Sequence, residues 1–154
     1  MRAVNLFAIF AALALGGCSG GEKSTPADAA SLGVSDAWIR LSPVPKSPSA
    51  AYFTLHGGQA AEQLTSVTSP QAQRSEMHET MAGDHAMSTM APVSRFPVPA
   101  GGPLTFAPGG RHVMLFGLDP AATAGREVRL DFAFASGRTL SAKARVRAMG
   151  DDGH

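Results

Sequence analysis

Between Met77 and Met114 the chain opens with MHETMAGDHAMSTM and closes with RHVM. This span holds five of the seven methionines and three of the five histidines of a 154-residue sequence. They are Met77, Met81, Met87, Met90 and Met114, with His78, His85 and His112. Thioether sulfur and imidazole nitrogen are uncharged, soft to borderline ligands, and together they suit monovalent copper better than zinc, magnesium or calcium. Neutral ligands around a monovalent ion leave one positive charge, which costs less to desolvate than a thiolate or carboxylate cage around a divalent ion. The composition of this stretch therefore predicts a Cu(I) site.

His112 and Met114 lie two apart on a predicted strand, Arg111 to Phe116, so they project to one face while Val113 and Leu115 project to the other. The segment from His78 to Met90 has no strand alternation. It reads as a loop that folds over that face and supplies further ligands. His78, Met90, His112 and Met114 form the expected metal set, with Met81, His85 and Met87 as auxiliary candidates for capture or exchange. The competing reading is that these methionines fill gaps in a core. It suits Met77, which has opposite parity to His78 on any continuing strand, but not Met81, Met87 and Met90 among Glu, Thr, Asp, Gly, His and Ser. His56 is expected to be structural, Trp38 a core or rim aromatic, and little in the sequence supports a metal role for Met149 or His154 in the terminal tail.

Several broader features bound the function. Residues 1–17 read as an export leader: Arg2 gives a positive start, Val4 to Leu15 an apolar run, and Gly16-Gly17 precede the sole cysteine, Cys18. That run is too short for a spanning helix, which needs about 20 residues. Removing Arg2 with the leader takes one of 13 basic residues set against 12 acidic ones, so the mature chain is formally neutral. No basic run exceeds a pair, and the electrostatic footprint of a nucleic-acid binder is missing. Blue-copper electron transfer needs a Cys thiolate beside its two His, and the single cysteine is at the leader boundary. No Ser/His/Asp, Cys/His, phosphate-cradling or paired-carboxylate arrangement points to an enzyme.

The elements that must carry the ligands are strands. Gly 17 and Pro 11 imply many turns, and no window of the mature chain shows a helical stripe. Residues 18–33 read as a flexible tether, 34–149 as one domain and 150–154 as a short polar tail. Strands are expected at Val34 to Leu41, Ala51 to Leu55, Glu62 to Thr68 and Arg74 to Thr80. Pro92 to Val98 reads as irregular, and Leu104 to Phe106 with Arg111 to Phe116 reads as a hairpin-like pair around Pro108-Gly109-Gly110. Two final strands alternate clearly, Val128, Leu130, Phe132 and Phe134 in one and Leu140, Ala142, Ala144 and Val146 in the other. The fold class is all-β, a sandwich or barrel.

Two resemblances sharpen this reading. Leu15-Gly16-Gly17-Cys18 resembles a bacterial lipobox, which implies cleavage before Cys18, a diacylglyceryl group on its sulfur and acylation of the new amino terminus. Ser19 after it implies sorting to the outer membrane, with the domain on the periplasmic side. The domain resembles the periplasmic copper chaperone family called PCuAC. The match rests on Met90, a gap of twenty-one residues and then His112-Val113-Met114, with His78 upstream. Supporting matches are Asp36-Ala37-Trp38-Ile39-Arg40, Ala51-Tyr52-Phe53, Met77-His78-Glu79-Thr80, Pro99-Ala100-Gly101-Gly102 and Pro108-Gly109-Gly110. The gap from His78 to Met90 is one residue longer than in the family, so Met87 competes with Met90 for the loop position. The family's His/Met-rich C-terminal extension has no counterpart in Asp151-Asp152-Gly153-His154. The resemblance implies a cupredoxin-like, immunoglobulin-like Greek-key β-sandwich, monomeric, which binds Cu(I) as cargo and passes it on. The implied acceptor is the copper-bearing subunit of a respiratory cytochrome oxidase, a CuA-type site, often alongside a Sco-type thiol chaperone. Sequestration of copper or silver without a dedicated acceptor is the alternative.

Overall fold

The computed structural model describes residues 31–82 and 88–151, so the leader, Cys18, His85, Met87 and His154 lie outside the described residues. All regular elements among the described residues are strands: β1 (Gly33–Arg40), β2 (Ser49–His56), β3 (Glu62–Thr68), β4 (Arg74–Ala82), β5 (Ser88–Pro92), β6 (Phe96–Val98), β7 (Pro103–Phe106), β8 (Arg111–Phe116), β9 (Glu127–Phe134) and β10 (Thr139–Arg147). They form one mixed sheet in the order β5-β4-β8-β2-β1-β10-β9-β3-β6, with β7 also paired to β2. Only β1 and β10 run parallel. The sheet curls until its ends meet across a shared core, and Ser75 Oγ on β4 donates to the Val67 carbonyl on β3 at 2.5 Å. The all-β, cupredoxin-like sandwich expected from the sequence is the architecture observed, built as a single rolled sheet.

The inner face is one apolar cluster running from Met77, Val113, Ala51 and Ile39 to Leu130, Phe132, Leu64 and Phe96. Phe53 stacks on Phe106 at 4.4 Å between centroids and meets Phe132 edge-on at 4.9 Å. These offset and T-shaped contacts add to what area burial alone contributes. Met77 is buried in this cluster, in keeping with its expected parity.

Two bulges set which side chains face the core. On β1, Val34 pairs with Leu55 and Ile39 with Ala51, with a register shift between Ser35 and Trp38. Asp36 makes the bulge with a left-handed φ of 53°. The extra residue flips parity, so Val34 and Ile39 both point inward while Trp38 and Arg40 point out. On β3 a shift between Leu64 and Ser66 lets Leu64 and Val67 both enter the core, where unbroken alternation would have put them on opposite faces.

Three sequence expectations need correction. The described residues between His78 and Met90 are strand and not a loop folded over the sheet: β4 continues to Ala82 and β5 pairs with it antiparallel, from His78 opposite Pro92 to Ala82 opposite Ser88. A polar strand on the outside of a sheet need not alternate, which is why the sequence hid it. Part of Pro92 to Val98 is also strand, because Phe96 to Val98 pairs with Glu62 to Leu64. Finally, β7 and β8 do not pair as a hairpin; both lie against β2, β7 along Phe53 to His56 and β8 along Ser49 to Ala51.

Candidate metal centre

Register alone brings most of the expected ligands to one face. His78 stands opposite His112, Glu76 opposite Met114, and Met114 opposite Ala50. On the other side of β4, Thr80 stands opposite Met90 and His78 opposite Pro92, so Met90 is the diagonal neighbour of His78. Directly opposed residues share a face of the sheet. His78, Met90, His112 and Met114 therefore all lie on the outer face, back to back with Met77, Val113 and Leu115 in the core.

The two imidazoles are held by different partners. Nδ1 of His112 lies 3.0 Å from the Gly110 carbonyl, which can only accept, so this nitrogen carries the proton and Nε2 keeps a lone pair. Nε2 of His78 lies 3.1 Å from Oε2 of Glu76, itself paired with Arg74 at 2.6 Å. A carboxylate there fixes the proton on Nε2 and leaves Nδ1 as the acceptor. That Nδ1 is buried and has no hydrogen-bond partner. An unpaired buried acceptor costs free energy, and a lone pair in that state, beside a second imidazole with its ring centroid 5.8 Å away, has the chemistry of a metal ligand. The carboxylate and carbonyl behind the rings match the partners that orient ligating histidines.

Met90, His112 and Met114 line one open cleft of about 350 Å³, walled by Arg40, Tyr52, Pro43 and Pro48. His112 is 6% exposed and the His78 side chain 14%, whereas Met90 is 59% exposed. His112 thus sits at the floor of the cleft and the Met90 thioether at its rim, while His78 lies beside His112 in the sheet and is not itself a lining residue. A rim of Arg40 donating to the Tyr52 hydroxyl at 2.7 Å, and Arg147 over the Trp38 ring at 4.7 Å, flanks the cleft. No group of three or more His, Cys, Asp or Glu able to hold a metal occurs among the described residues. The donor set that is present is nitrogen and thioether sulfur.

Met81 does not join this set. It pairs with Thr89, one residue out of phase with Thr80 and Met90, which puts it on the opposite face, 53% exposed beyond the edge of the core. The reason is the same extension of β4 that removed the expected loop. His85 and Met87 lie outside the described residues. His56 is remote from the cleft, with Nε2 2.8 Å from Ser35 Oγ. Trp38 is a rim aromatic, tilted against Tyr52 at 4.6 Å. Sequence reasoning missed Glu76, although its spacing of two from His78 on a strand is the same signal that united His112 with Met114.

This rolled β-sheet with a His/Met face is the PCuAC-type fold. It superimposes on the copper-bound PCuAC domain from PmoF2 with a TM-score of 0.62, at 20% identity over 77% of this chain and 96% of that one. It also matches the solution structure of CuI-DR1885 from Deinococcus radiodurans, with a TM-score of 0.55 and 28% identity over 83% of each chain. A family model described as "Putative lipoprotein LpqE-like" matches residues 32–146, and the chain belongs to that family. It is 31% identical over 144 residues to "Putative lipoprotein Lxx21020" of Leifsonia xyli subsp. xyli (strain CTCB07), covering 90% of this chain and 84% of that protein.

Proposed function

We propose that the protein is an exported, lipid-anchored Cu(I) carrier whose metal is held by His78, Met90, His112 and Met114. The observation that carries this reading is the orphaned Nδ1 of His78 beside His112, with Met114 and Met90 on the same face. The copper-bound PCuAC domain from PmoF2 and CuI-DR1885, which share the fold, support it. The paired imidazoles of His112 and its neighbour His78 would confer affinity, and thioethers at an open rim would yield the ion to thiolates on an acceptor by ligand exchange. The acceptor class that fits is the dinuclear CuA-type site of a respiratory cytochrome oxidase, with a Sco-type thiol chaperone as a second partner. Kinship with lipoproteins supports anchoring through Cys18 at the periplasmic face of a membrane, the outer membrane by Ser19, with 18–33 as tether and 34–149 as the carrier domain.

Titration of the mature protein with Cu(I) against a chromophoric chelator tests the reading. One equivalent is expected to bind, and the double variant His112→Ala, Met114→Ala is expected to lose it. Unchanged binding in that variant would overturn the assignment. Transfer to an apo CuA domain, followed by the appearance of its visible absorption after oxidation, separates delivery from sequestration.

A further inference from the structure

Three of the four exposed large apolar side chains among the described residues are methionines: Met81, Met90 and Met149. An apolar side chain left in water contributes nothing to folding. Met149 is 60% exposed and is not part of the core cluster. It nevertheless lines the same cleft as Met90, His112 and Met114.

The backbone holds it there. At the end of β10 the Arg147 carbonyl accepts the Leu41 N–H at 2.9 Å, tying the strand end to the loop that walls the cleft. The next four residues, Ala148 to Asp151, close a turn in which the Asp151 N–H donates to the Ala148 carbonyl at 3.2 Å. Gly150 occupies the third position with φ of 88°, as a type II turn demands. Met149 is thereby fixed at the second position. In strand order, β5 carries Met90 on one flank of His112 and Met114, while β10 brings Met149 from the other.

We propose that Met149 is an exchangeable third thioether ligand of the Cu(I) site, one that shares the rim with Met90. This inference rests on the copper reading above. When an acceptor thiolate displaces Met90, Met149 keeps the ion bound; an anionic sulfur enters as the neutral Met90 thioether leaves, so the complex loses one positive charge, and the copper stays monovalent. The turn that follows β10 is thus part of the site.

The test uses the full mature chain carrying carbon-13 methionine methyl groups, titrated with Ag(I) and then with Cu(I) under reducing conditions. The Met90, Met114 and Met149 methyl resonances are expected to shift together up to one equivalent while that of Met77 stays fixed. Met149→Leu is expected to weaken Cu(I) binding several-fold without moving the unfolding midpoint. If the Met90 and Met114 methyls shift while Met149 does not, this inference is overturned and the copper reading stands. If none of the methyls responds, both fall.

Discussion

His78 and His112 face each other across neighbouring antiparallel strands, ring planes tilted by 32°, and each is oriented from behind by a fixed acceptor, Glu76 for one and the Gly110 carbonyl for the other. Only the Glu76 partner is a side chain, so it can be removed. Glu76→Ala frees the His78 ring to rotate and to place its proton on either nitrogen. The expected result is Cu(I) affinity weakened by roughly 10- to 100-fold, the range for lost partners of metal-ligating histidines. Chelator competition measures it. Glu76→Gln, which still accepts a hydrogen bond, is expected to recover most of the loss; an affinity indifferent to both changes would remove Glu76 from the site.

Met77 and Met90 separate packing from ligation within one sequence cluster. Met77 is 6% exposed inside the core, so Met77→Ala leaves a cavity and is expected to cost about 2–5 kcal/mol in urea unfolding. The folded fraction should bind Cu(I) as before. Met90→Leu reverses the pattern: the exposed position tolerates the change within about 0.5 kcal/mol, whereas the loss of sulfur weakens the metal site. Equal effects of the two variants on both measurements would contradict the assignment.

Much of this was legible because β-strand parity is rigid. His112 and Met114 had to share a face, Met77 and His78 could not, and the alternation in the last two strands marks their buried side without ambiguity. What escaped was of three kinds. Arg74 to Thr80 reads as strand, but the end of β4 and its polar partner Ser88 to Pro92 carry no apolar period and so looked like a loop. Bulges at Asp36 and between Leu64 and Ser66 reset parity by one residue, and nothing in the local composition announces a bulge. Met149 was invisible for a third reason, since its approach to the cleft is set by the Leu41 to Arg147 clasp between segments far apart in sequence.

The bulge at Asp36 decides which face Trp38 and Arg40 occupy. Asp tolerates the left-handed region better than most residues, and a β-branched side chain does not. Asp36→Val is expected to lose about 1–2 kcal/mol of stability. Trp38 is the sole tryptophan, so its emission reports directly on whether the ring keeps its place against Tyr52 and Arg147. A blue shift would mean that the register slipped and carried the ring inward; an unchanged spectrum with lowered stability would mean that the bulge survives under strain.

Asp131, on the wet face of β9, gives the fold an acid-sensitive element. Partial burial pushes its carboxyl up, but hydrogen bonds from Ser141 and Arg129, with the Arg129 charge, outweigh this and hold it below the ordinary 3.8. A carboxylate lowered in the folded state stabilises above that ordinary value, and the contribution fades as pH falls through the folded value. Asp131→Asn is therefore expected to lower the urea midpoint at neutral pH and to flatten its dependence on pH in the acid range. A wild-type slope in the variant would show that Asp131 does not carry it.

Gly57 tests whether the site is mechanically separate from the far end of the sandwich. A Cβ built there would lie 1.8 Å from the Pro99 carbonyl oxygen, against backbone that cannot give way as a side-chain tip would. The Gly57 N–H meanwhile donates to the Gly102 carbonyl at 2.8 Å and the Gly101 N–H to Gly58 at 2.8 Å, so the two loops are bonded at close range. Gly57→Ala must push them apart and lose those bonds, at a cost of about 2–4 kcal/mol. His78, His112 and Met114 hang from other stretches of β4 and β8, so the folded fraction of Gly57→Ala is expected to bind Cu(I) with wild-type affinity. Weakened binding in that fraction would mean that strain at these loops reaches the metal face through β2, the strand that both ends share.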